Sequence, residues 1–127
     1  VCSSDLGLDD SNRVTCNALV AVIESYGLDS PLGRGMALAG TTGTLRSLFT
    51  TGPAAGKLRA KTGTLRNVKS LSGFFPVQDG AISFALVLNG AGVSNQSAYR
   101  PLWDATMEAF GTYNATPRTQ DLLPRTK

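Results

Sequence analysis

The sequence contains no histidine. That absence removes the Ser-His-Asp triad, the Cys-His pair and nearly all common zinc sites. Cysteine is scarce: Cys2 and Cys16 are too few for a disulfide scaffold and lack the spacing of a metal or redox motif. Any acid–base chemistry therefore falls to Lys, Asp, Glu or Tyr. Long apolar runs are missing too. The longest, Phe84 to Leu88, has the length of a strand, far short of the roughly 20 residues that cross a bilayer. The amino end has no basic start followed by an apolar run and does not read as a signal peptide. Acidic residues vanish between Ser30 and Gln78, where Arg34, Arg46, Lys57, Arg59, Lys61, Arg66 and Lys69 stand. Such a block creates a positive potential that favours an anionic partner, either nucleic acid or a carboxylate-bearing substrate; the alternative is a solvated basic face.

What is present suits a folded domain. The 127 residues are 42% apolar and 17% charged, enough to bury a core. Thr15 is a candidate N-cap. The apolar positions Cys16, Leu19, Val20, Ile23 and Tyr26 then predict an amphipathic helix that Gly27 stops. Residues 28–56 are rich in glycine and read as loop, with short helical pieces near Leu32 to Leu38 and Gly43 to Phe49. Three strands follow: Lys57 to Leu65, Val68 to Val77, where Pro76 threatens an early end, and Ala81 to Asn89. Arg66-Asn67 and Asp79-Gly80 are the hairpin turns. Tyr99, Leu102, Trp103, Thr106, Met107 and Phe110 recur at helical spacing over 97–110 and read as a face packed on the sheet. The third strand is apolar on both faces, with Ile82, Phe84, Leu86 and Leu88 on one and Ala81, Ala85 and Val87 on the other. It demands cover above and below, as in a layered α/β structure. The expected architecture is a three-strand antiparallel meander with flanking helices, incomplete within these residues.

The motifs narrow the chemistry. Gly52 to Lys57 is one residue short of a nucleotide P-loop and is followed by Leu58 where a hydroxyl is needed. Thr41 to Leu45 carries no lysine and reads as a turn. Nucleic-acid binding wants stacking aromatics among the bases, and Phe49 is the lone aromatic between Gly27 and Gly73. Lys57, Arg59 and Lys61 alternate along a predicted strand and would share one face. Lys61-Thr62-Gly63-Thr64 offers more coherent chemistry. The Lys61 ammonium and the Thr62 and Thr64 hydroxyls can hold a carboxylate through charge-assisted bonds. Gly63 leaves room for a substrate backbone along the edge. The Thr64 backbone N–H can point at a developing oxyanion. The plain alternative makes Lys61 a surface lysine and Gly63 a bulge.

The run Ala54 to Gly73, AAGKLRAKTGTLRNVKSLSG, resembles the KTG-motif region of D-alanyl-D-alanine carboxypeptidases of the penicillin-binding protein 4 type. Gly7-Leu8 with Asn12-Arg13-Val14-Thr15, and Ala39-Gly40 with Gly43-Thr44-Leu45, resemble further blocks of that family in the same order. The resemblance covers residues 7–110 and implies the C-terminal part of a β-lactamase/penicillin-binding, transpeptidase-like α/β fold. Residues 1–6, VCSSDL, do not fit it and resemble a translated sequencing adapter, and residues 111–127 read as a poorly ordered tail. The resemblance implies a serine-type carboxypeptidase or endopeptidase, located outside the cytoplasm and acting on peptidoglycan peptides that end in D-Ala-D-Ala. β-Lactams would be pseudo-substrates, and no cofactor, metal, nucleic acid or membrane span is implied. Carried over by resemblance, Lys61 supplies positive potential, Thr62 and Thr64 bind the terminal carboxylate with Gly63 beside them, and the Thr64 backbone forms half the oxyanion hole. Lys69 has no part beyond the general basic block. No Ser-x-x-Lys or Ser-x-Asn occurs in the chain. These residues alone are therefore expected to be inactive, with a non-catalytic cell-wall-peptide or partner-binding module as the competing class and a basic nucleic-acid binder as a third.

Overall fold

The computed structural model describes residues 13–113 and Arg118. The segment 1–6, the family-like Gly7-Leu8 block with Asn12, and most of the tail lie outside the described residues. Helix α1, Cys16–Tyr26, begins where Thr15 Oγ1 accepts the Ala18 N–H at 3.1 Å and ends at Gly27, whose φ of 81° suits glycine. Helix α2 is short, Pro31–Gly35; Ser30 caps it, and its proline stands where a missing N–H costs nothing. Strand β1, Ala37–Leu38, and a single 3₁₀ turn, Gly43–Leu45, lie in the glycine-rich stretch. Strands β2, Arg59–Leu65, β3, Val68–Val77, and β4, Gly80–Asn89, are followed by helix α3, Gln96–Gly111.

The sheet is antiparallel with order β1-β2-β3-β4. It has four strands where the sequence predicts three. β1 is too short to show any periodicity and exists through its pairing, Ala37 with Ala60 and Leu38 with Arg59. The second turn is Gln78-Asp79 rather than Asp79-Gly80, because Gly80 pairs with Val77. Pro76 does not shorten β3. The pairing with β2 stops at Phe74, so a proline beyond it costs no bond on that side.

Alternation along the strands sorts the residues onto two faces. Ala60, Leu71, Phe75 and Phe84 turn toward α3 and join Tyr99, Trp103 and Met107 in one core, closed by Ala39, Leu45, Phe49, Ala54 and Leu58 from the irregular segment. Phe110 packs against Phe75 and Phe84, with ring centroids 5.7 and 5.4 Å away. α1 crosses β3 and β4 on the opposite face, where Ile23 and Phe74 are the buried apolar residues outside that core. Cover on this side is thin: Val14, Val22 and Tyr26 are each more than half exposed.

Candidate functional site

Strand β2 carries Lys61-Thr62-Gly63-Thr64 past the end of β1. From Lys61 to Leu65 it therefore has β3 on one side and, among the described residues, no strand on the other. The orientation of this open edge follows from its carbonyls. Leu58 C=O accepts the Ala39 N–H at 3.0 Å, and Thr62 C=O accepts Lys61 Nζ at 2.7 Å. Even-numbered backbone groups thus face the β1 side, and on the same alternation the Thr64 N–H points out of the open edge.

The four predicted residues divide between the faces of the sheet. Lys61 and Gly63 turn toward α1, where a groove of about 1050 Å³ is lined by Leu19, Ile23, Lys61, Gly63, Ser70 and Val87 among others. A Cβ at Gly63 would meet Ser70 Oγ, the rotatable end of its cross-strand partner's side chain. Thr62 and Thr64 turn the other way. Thr62 Oγ1 donates to Thr44 Oγ1 at 2.9 Å, and Thr64 Oγ1 accepts from Lys69 Nζ at 2.8 Å. The Lys69 ammonium also lies over the rings of Tyr99 and Trp103, 4.4 and 5.4 Å from their centroids. Partial burial pushes its pKa below the ordinary lysine value, and the negative faces of the two rings oppose that pull.

Sequence reasoning missed Thr44 and Lys69 as neighbours of the motif. Lys69 had a readable signal, because a two-residue turn at Arg66-Asn67 forces Thr64 opposite Lys69. Thr44 had none: it arrives through the 3₁₀ turn that follows β1. The basic block also separates in space. Arg59 Nη1 donates to the Arg34 carbonyl at 3.3 Å. Lys57 precedes β2 and lies over the Phe75 ring, 5.3 Å from its centroid. It does not share a face with Arg59 and Lys61.

The antiparallel sheet with α1 on one face and α3 on the other is shared with known proteins. Residues 3–109 match the D-Ala-D-Ala carboxypeptidase 3 (S13) family. The chain belongs to this family. A carboxypeptidase of Mycobacterium tuberculosis is 38% identical over 106 residues, which are 76% of this chain and 23% of that protein. Among solved structures, penicillin-binding protein 4 from Haemophilus influenzae, complexed with a β-lactam, superposes with a TM-score of 0.64 at 24% identity over 82% of this chain and 26% of that one. A penicillin G-acylated predatory endopeptidase from Bdellovibrio bacteriovorus gives 0.59 at 23% identity, covering 80% of this chain and 29% of that one. These two likenesses show the mixed α/β fold of penicillin-binding proteins, which this chain builds on a four-strand antiparallel sheet. The S13 chain described here spans about a quarter of the length of the relatives it matches. No helix among the described residues is long and apolar enough to cross a membrane.

Proposed function

We propose that this chain forms one wall of the catalytic cleft of a serine-type D-Ala-D-Ala carboxypeptidase or endopeptidase that acts outside the cytoplasm on peptidoglycan stem peptides. The observation that carries the reading is the open edge of β2, where Thr62 and Thr64 present hydroxyls and the Thr64 N–H points outward. A peptide laid along this edge places its terminal carboxylate at the hydroxyls and its scissile carbonyl at the N–H, which supplies half of an oxyanion hole. Lys61 adds positive potential from the other face. The nucleophile comes from outside these 127 residues, since no serine here is followed by Lys three positions on.

The chemistry is acyl transfer. A serine Oγ loses its proton to a lysine amine and attacks the penultimate carbonyl. The C–N bond breaks, the departing amine takes the proton, and an ester remains on the serine. Water then attacks the ester, giving the shortened peptide and free serine. β-Lactams enter by the same attack, with ring opening in place of departure.

The test is labelling of the full-length protein and of the isolated chain by a fluorescent penicillin, together with release of D-alanine from a peptide ending in D-Ala-D-Ala. The full-length protein is expected to be labelled stoichiometrically and to release D-alanine, and the isolated chain to do neither. Stable labelling of the isolated chain would refute the division of the site, and an inert full-length protein would refute the activity.

A further inference from the structure

Lys69 occupies an unusual place for a lysine of a basic block. Its position is fixed: the Thr64–Lys69 pair follows from the turn at Arg66-Asn67. That turn is pinned from behind, because Asn67 C=O accepts the Gly90 N–H at 2.9 Å and Arg66 C=O accepts Ser94 Oγ at 3.2 Å. The stem of Lys69 is half-buried, its ammonium rests on the Tyr99 and Trp103 rings, and its Nζ reaches Thr64 Oγ1. Among the described residues, no carboxylate forms an ion pair with the Lys69 ammonium.

We propose that Lys69 is a positioning residue that turns the Thr64 hydroxyl into a committed donor toward the terminal carboxylate of the substrate. A hydroxyl carries one hydrogen and two lone pairs, whereas an ammonium only donates. With Lys69 donating into one lone pair, the Thr64 hydrogen is left for an acceptor outside. Thr62 lacks this direction, because its partner Thr44 is also a hydroxyl and either of the two can donate. Lys69 further sets a positive charge one hydroxyl behind the bound anion, on the face opposite Lys61. It senses the carboxylate and takes no part in the attack on the carbonyl.

This inference rests on the proposed acyl-transfer reading, and the test separates the two. The full-length protein and its Lys69→Met, Lys69→Arg and Lys57→Met variants are acylated with a penicillin bearing its free carboxylate and with the methyl ester of the same penicillin. The ratio of the two rates within one variant is independent of the fraction folded. Methionine keeps the apolar stem over the rings and removes donor and charge. Lys69→Met is expected to lower the carboxylate-to-ester ratio about tenfold, in line with the loss of one charge-assisted contact. Lys69→Arg restores most of the ratio, and Lys57→Met leaves it at the wild-type value. In a Thr64→Val background the effect of Lys69→Met on the ratio shrinks. An unchanged ratio in Lys69→Met, with the wild type acylated, overturns the role of Lys69 alone. A wild type that neither penicillin acylates overturns the functional reading and this inference with it.

Discussion

Lys61 and Lys57 are both exposed lysines in the acid-free stretch, and charge counting treats them alike. Their surroundings do not. Lys61 Nζ folds back onto the Thr62 carbonyl at the open edge, while Lys57 lies over the Phe75 ring on the α3 side. The Lys61 contact is made with an exposed carbonyl, so the side chain is free to exchange it for a substrate group at little cost. In the full-length protein, Lys61→Ala is expected to slow acylation by a β-lactam roughly tenfold to a hundredfold, the worth of a charge-assisted contact. Lys57→Ala should leave the rate within about twofold, since it removes a cation–π contact of at most about 1 kcal/mol at an exposed site. Stopped-flow or gel-based acylation rates check both. Equal losses would show that bulk positive potential, and not the motif, recruits the substrate.

Register decides what each glycine beside the motif does. Gly73 sits in β3 opposite Ala60, and a Cβ there would strike the Arg59 carbonyl and lie 2.6 Å from Ala60 Cα. Those atoms are backbone, so β2 itself has to move. Gly73→Ala is expected to destabilise the full-length protein by about 1–3 kcal/mol and to slow acylation, because the displaced strand carries the motif. A Cβ at Gly63 meets only Ser70 Oγ, the free end of a small side chain that can rotate away. Gly63→Ala should leave stability within about 1 kcal/mol. Denaturant melts compare the pair, and equal destabilisation would show that Ser70 is locked. The same logic marks how much of the architecture could be read from the chain. α1, β3, β4 and α3 announce themselves through cap, composition and period: Thr15, the Val, Leu and Phe content of Val68 to Val77, the apolar run from Phe84 to Leu88, the stripe from Tyr99 to Phe110. The contiguous motif was readable as well. β1 was not, since two residues carry no period and owe their conformation to Ala60 and Arg59 far along the chain. Nor was the Thr44–Thr62 bond, because it spans a loop whose path is set by burial of Ala39, Leu45 and Phe49.

The two sides of the sheet are unequally finished, and that inequality predicts how the isolated chain behaves. On the α3 side, Trp103, Phe75, Leu71, Leu58 and Leu45 are fully enclosed. On the α1 side a groove of about 1050 Å³ runs beneath a helix whose Val22 and Tyr26 are 56% and 62% exposed. The outer edge of β4 offers ten residues with no strand beside them among the described residues. Unpaired edges and open apolar grooves favour association between copies. The relatives that share this fold are more than three times as long. The isolated chain is therefore expected to aggregate or to remain loosely packed, with broad melting and rapid proteolysis. Its residual protection should be uneven. Amides on β3 and α3, behind the finished core, should exchange slowest, and those of α1 fastest, because few buried contacts hold that helix to the sheet. Hydrogen exchange read by mass spectrometry, alongside sizing, distinguishes the cases. A monomer that melts in one sharp step with α1 as protected as α3 would mean that the open groove is no defect and that the chain is a self-standing domain.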